Sequence, residues 1–164
     1  MQATTTTSTI KQRAPRKFAY EWQNHLQAVR DIYDKHKNPS YFIANGSRRG
    51  SWNDATANGL TAAIVDYLTY LGGNFSRVNC IGTPRKNSSG QLIFTPSTTK
   101  KGIADIIGCY RGKYIAIEIK IGADRQSKEQ IEEQRDVINA GGVYIIAKSF
   151  PDFLSNMLNI STAI

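Results

Sequence analysis

Three side chains of the 164-residue sequence, Asp105, Glu118 and Lys120, have types and spacing suited to phosphodiester hydrolysis. If Arg111-Gly112 is the tip of a hairpin, Tyr110 stands opposite Lys113. Counting back along both strands then sets Asp105 opposite Glu118. Direct cross-strand neighbours on one face have Cβ atoms about 4.5–5.5 Å apart. Side chains alternate along a strand, so Lys120 shares the face of Glu118, and Ile115, Ile117, Ile119 and Ile121 form an apolar row on the other. Two carboxylates placed so close repel unless something neutralises them, and oxygen ligands suit Mg2+ or Mn2+. Such an ion polarises a phosphoryl oxygen and acidifies water, while a nearby lysine stabilises developing negative charge. A bulge at the turn would break this pairing, and an isolated E-x-K triplet has little specificity.

The elements that must position these residues follow from local patterns. Phe18, Trp22, Leu26, Val29 and Tyr33 recur at helical spacing over Lys17–Lys37, and Asn38-Pro39 stops that helix. His25 and His36 lie within it without an obvious ligand partner and read as packing or surface residues. Tyr41-Phe42-Ile43 is a short apolar segment, followed by the loop Asn45–Gly50. A second helix is expected over Asp54–Leu71, closed by Gly72-Gly73, and then a strand over Asn74–Ile81. Residues 82–101 read as one long connection, of the kind that is usually functional or mobile. Strands follow at Ile103–Tyr110 and Lys113–Ile121, a helix at Lys128–Ala140 capped by Ser127, a strand at Val143–Lys148 and a short helix at Pro151–Asn159. From Asp54 the order is αβββαβ, a mixed α/β domain with a mixed sheet, preceded by an extra N-terminal helix. The strand–helix–strand step at 113–148 predicts a parallel crossover.

Charge is unevenly spread. Of 21 basic and 13 acidic residues, residues 1–101 hold 14 basic and 5 acidic, so the net charge of +8 arises entirely there. That excess suits a polyanionic partner, nucleic acid foremost. Carboxylates are concentrated in the last third, where a metal-dependent nuclease needs them and a plain phosphate binder does not. Residues 1–16, rich in Thr and basic residues with no acid, read as a disordered basic arm; 17–53 as a helical extension; and 54–164 as the main domain. No apolar run is long enough for a transmembrane helix, and no apolar secretory segment opens the chain, so a cytoplasmic location without membrane contact is expected. Cys80 and Cys109 are too few for a disulfide framework and lack zinc-type spacing.

Gly102-Ile103-Ala104-Asp105-Ile106-Ile107, Ala116-Ile117-Glu118-Ile119-Lys120, Ser127-Lys128-Glu129-Gln130 and Gly141-Gly142 together resemble the PD-(D/E)XK nuclease superfamily. Within it, they most resemble the stand-alone VRR-NUC group of bacteria and their viruses, similar in kind to Holliday junction resolvases. The likeness spans about residues 57–148. It implies a restriction-endonuclease-like core and a DNA endonuclease dependent on Mg2+ or Mn2+. Carried over residue by residue, Asp105 and Glu118 are metal ligands, the Ile119 carbonyl is a third, Lys120 is the catalytic lysine and Gln130 is a site residue. Gln130 also fits a capping box with Ser127, and both roles can coexist. Where the family carries a glutamate on the first core helix, this chain has Asn58, which can coordinate only through an uncharged oxygen; Asp54 is a weaker substitute.

The expected partner is DNA, as duplex, flap or junction, and a homodimer is expected by analogy alone. Arg85 and Lys86 near the start of the long segment, and Lys100 and Lys101 just before the Asp105 strand, are candidate phosphate contacts. The competing reading is a non-catalytic nucleic-acid binder on the same fold, for which Asn58 is the main argument.

Overall fold

The computed structural model describes residues 20–79, 83–95 and 99–161. The expected basic arm at 1–16 lies outside them. Five helices and six strands are present among the described residues: α1 (Glu21–Lys37), α2 (Pro39–Asn45), α3 (Ala57–Tyr70), β1 (Asn74–Arg77), β2 (Thr83–Lys86), β3 (Leu92–Thr95), β4 (Ile106–Tyr110), β5 (Lys113–Ile119), α4 (Lys128–Asn139), β6 (Val143–Ala147) and α5 (Phe150–Ser161). Four strands form a mixed sheet in the order β1-β4-β5-β6. β1, β4 and β5 pair antiparallel, while β6 returns parallel to β5 after the α4 crossover. Apart from β2 and β3, which make a separate two-stranded sheet, the order from α3 to β6 is αβββαβ.

The β4–β5 hairpin follows the expected register: Tyr110 pairs with Lys113 and Ile106 with Ile117. Arg111 and Gly112 have φ of 48° and 77°. Positive φ at both central residues matches the twist of a tight two-residue hairpin, so no bulge shifts the pairing.

Several elements are shorter than expected, with α3 beginning at Ala57 and not Asp54, β4 at Ile106 and not Ile103, and β5 ending at Ile119 and not Ile121; two segments take a different structure altogether. Pro39 does more than stop α1. It opens α2, with Asn38 accepting a hydrogen bond from the Tyr41 N–H, because proline at the first helical turn lacks only a donor that has no partner there anyway. Within 82–101, Thr83–Lys86 and Leu92–Thr95 pair as a hairpin whose turn is held by the Asn87 side chain, which accepts from the Ser89 and Gln91 N–H groups.

Strand alternation gives the sheet two unlike faces. Ile106, Ile115, Ile117, Ile119 and Ile145 pack with Leu60, Ile64 and Leu68 of α3 and Phe150, Phe153 and Met157 of α5. Trp22 and Leu26 of α1, and Trp52 after α2, join this same core. Trp22 lies 4.8 Å from Phe150 between ring centroids, and Tyr67 meets Phe150 and Phe153 edge-on. Trp52 is pinned by its indole N–H to Asp66 (2.8 Å) and by its carbonyl, which accepts from Gln23 (2.6 Å). The other face carries a smaller cluster of Ala104, Ala116 and Val137, with Ile107 and Tyr144 against it, beneath α4. No helix among the described residues is long and apolar enough to cross a membrane.

Candidate active site

Asp105 sits one residue ahead of β4, where the antiparallel ladder with β5 ends. Its position is fixed from both sides. The Asp105 carbonyl accepts from the Val78 N–H just past β1 (2.8 Å), and its carboxylate accepts from the Ile119 N–H at the end of β5 (2.9 Å). The Lys120 N–H points the opposite way, to the Ala147 carbonyl on β6 (3.0 Å). In extended chain the N–H and C=O of one residue face the same edge, so the Ile119 carbonyl is turned toward Asp105.

Glu118 is 1% exposed and Lys120 7%, an unusual burial for either type. The Lys120 ammonium lies 3.0 Å from Glu118 Oε1 and 3.4 Å from Asp124 Oδ2. Glu118 Oε1 also accepts from the Gln130 amide. Glu118 Oε2 is buried with no hydrogen-bond partner. Burial pushes the Glu118 carboxyl up from its ordinary value, and the Asp105 charge adds to this, against the pull of the Lys120 hydrogen bond. For Lys120, burial acts to lower the pKa, but Glu118 and Asp124 outweigh it and hold the ammonium above its ordinary range.

Gln130 forms the capping box expected with Ser127, and its side-chain amide also reaches Glu118. Its Oε1 accepts from the Ser127 N–H (2.9 Å), while its own N–H donates to Ser127 Oγ (3.2 Å). The amide orientation that completes this capping box leaves the NH2 group aimed at Glu118.

The remaining candidates stand apart from this cluster. Asn58, at the start of α3, has its amide oxygen taken by the Arg77 guanidinium (2.7 Å). Lys100 pairs with Glu133 and lies 3.7 Å from Asp136, both on α4. Lys101 is exposed, and its charge contributes to lowering the Glu129 carboxyl, after the hydrogen bonds from the Glu129 backbone and Ser127. Arg85 and Lys86 are exposed on β2, opposite Ile93 and Leu92.

Three residues facing this region escaped the reading of the sequence. Asp124 reaches back one helical-type spacing to Lys120. Tyr144, with its hydroxyl buried, lies on the β6 position beside Ala116; burial first, then the Glu118 charge, pushes its hydroxyl pKa up. Glu133 is 8% exposed, three residues after Gln130 and four before Val137, so helical periodicity alone could have put it on the inward stripe of α4.

Among the described residues, no three His, Cys, Asp or Glu side chains group closely enough to hold a metal ion by themselves. The candidate donors are therefore two carboxylates and one main-chain carbonyl. Mg2+ characteristically takes one or two carboxylates and fills its remaining positions with water and substrate phosphate oxygens. The partnerless Glu118 Oε2 fits such use, since a buried polar atom left unpaired otherwise costs about 1–3 kcal/mol. Comparison of the sequence with family models gave no match, and comparison with curated proteins gave none either.

Proposed function

We propose that the chain is a Mg2+- or Mn2+-dependent deoxyribonuclease, an endonuclease on a restriction-endonuclease-like core that hydrolyses phosphodiester bonds in duplex, flap or junction DNA. The observation that carries this reading is the buried Glu118, with one oxygen bound by Lys120 and Gln130 and the other left without a partner, beside an Asp105 anchored to the same strand end. The αβββαβ order and the basic excess in residues 1–101 support it.

Asp105, Glu118 and the Ile119 carbonyl would hold the ion. When bound, it supplies Lewis acidity toward a phosphoryl oxygen and lowers the pKa of water. Lys120, held above its ordinary pKa, is charged at neutral pH and serves as a hydrogen-bond donor to developing negative charge, not as a base. Gln130 locks the Glu118 rotamer, and burial beneath α4 limits competition from bulk water. A homodimer would present two such sites to two strands.

A non-catalytic DNA binder is the second reading. The engagement of Asn58 by Arg77 favours it, because a guanidinium held against the amide oxygen at the start of α3 repels a cation there. Plasmid, linear duplex, flap and four-way-junction DNA incubated in Mg2+, Mn2+ or EDTA separate the two. Cleavage that requires metal supports the enzyme; retarded migration without cleavage supports the binder.

A further inference from the structure

We infer that Glu133 and Lys100 form a positioning latch that ties the approach to Asp105 onto α4, so that one helix sets both carboxylates of the site. The inference rests on the reading of Asp105 and Glu118 as a metal-binding pair.

The inward stripe of α4 consists of Gln130, Glu133 and Val137, and each contacts a different part of the site's support. Gln130 holds Glu118 on β5. Val137 packs with Ala104, next to Asp105, and with Ala116, two residues before Glu118. Glu133 receives Lys100, five residues before Asp105. Between these anchors the chain lies directly on the helix backbone. Gly102 has φ of 79°, and a Cβ there would collide with the Glu129 carbonyl. The residue must therefore be glycine on two independent grounds, backbone conformation and space.

The ion pair is asymmetric in a way that decides its role. The Lys100 side chain is 62% exposed, whereas that of Glu133 is 9% exposed. An exposed pair contributes little, but removing the cation here leaves a buried carboxylate uncompensated. Lys100 faces Glu133 and Asp136 together, so its immediate surroundings carry more negative than positive charge. A phosphate arriving at Lys100 would have to displace two carboxylates. The arrangement suits a residue that places Asp105 and does not suit a contact to the DNA backbone.

Three variants of the full chain test this: Lys100→Met, Glu133→Gln, and the exchange Lys100→Glu with Glu133→Lys. Loss of a group that orients metal ligands typically weakens metal affinity or activity by about 10–100-fold. Each single variant should raise the Mn2+ concentration at the midpoint of thermal stabilisation by about tenfold and lower kcat comparably. KM and the salt dependence of DNA binding in EDTA should stay at the wild-type values, and the exchange should recover most of the loss. Should Glu133→Gln fail to fold, Lys100→Met, altered at the exposed partner, decides by the same measurements. A log–log salt slope flattened by about 0.9 in Lys100→Met would make Lys100 a phosphate contact and overturn the latch. Wild-type Mn2+ midpoint and kcat in Lys100→Met would overturn it as well. A wild-type protein that neither gains stability from Mn2+ nor cuts DNA would remove the underlying reading of the site, and the latch with it.

Discussion

The two faces of the four-stranded sheet use the same strands to bury different things. On β5, Ile115, Ile117 and Ile119 look toward α3 and α5, where Leu60, Ile64, Leu68, Phe150 and Phe153 are fully buried around them. Ala116, Glu118 and, beyond the strand, Lys120 look toward α4, where the apolar cluster is reduced to Ala104, Ala116 and Val137. One face is closed by large side chains. The other has small ones, and the space they leave is filled by a carboxylate, an ammonium and an amide. A fold can carry an unpaired Glu118 oxygen on one face when burial on the other supplies most of the stability.

This contrast predicts that substitutions on the two faces fail in different ways. The largest effect belongs to the polar face. Glu118→Gln should lower the cleavage rate by about a thousandfold or more, since the Lewis acidity it helps hold is worth several kcal/mol. Its unfolding should remain cooperative. Wild-type turnover in that variant would end the proposed site. On the apolar face, Phe153→Ala should cost about 3–5 kcal/mol of stability in urea titration, with cleavage per folded molecule retained. Lost turnover in folded Phe153→Ala protein would mean that the faces are not separable.

Metal binding should connect them. At about 100 times its Kd, Mn2+ should stabilise the fold by about 2.7 kcal/mol, and the double variant Asp105→Asn, Glu118→Gln should show no such gain. An equal gain in the double variant would place the ion elsewhere. The smallest effect concerns protons. The folded pKa of Glu118 lies above its ordinary 4.5, so its contribution to stability is fully present below that value and is lost as pH rises through the folded pKa. In EDTA, the stability of wild type relative to Glu118→Gln should therefore fall as pH rises above 4.5. A difference that stays flat, or rises, would show that Glu118 is not strained by its burial.

Much of this geometry was legible in the sequence because it is local or periodic. Arg111-Gly112 fixed the turn, the turn fixed the register, and alternation then put Glu118 and Lys120 on the face opposite the isoleucines. The Ser127–Gln130 spacing gave the cap, and the same glutamine reaches Glu118. What escaped was either ambiguous or distant. Pro39 serves equally as a helix stop and as a first helical residue, and only the following turn distinguishes them. Leu92-Ile93-Phe94 reads as an apolar break in a loop until Thr83–Lys86 is there to pair with it. Lys100 and Glu133 are 33 residues apart, and no local pattern joins them. Asp105 was expected within a strand as the direct neighbour of Glu118. It lies just ahead of β4 in the expected register, and its carboxylate, in place of a main-chain carbonyl, accepts from the Ile119 N–H.

The placement of the indoles has a spectroscopic consequence. The chain's two tryptophans, Trp22 and Trp52, are both buried in the large core and both distant in topology from α4. Intrinsic tryptophan emission is thus a reporter for the larger core: it will register the melting of the isoleucine face and say little of unfolding confined to α4. A tryptophan placed at Tyr144, which sits against the small cluster beneath α4, in a chain with Trp22 and Trp52 replaced by Phe, is its natural complement. Following the emission of the two proteins in parallel denaturant titrations would show whether the two faces come apart together or in turn.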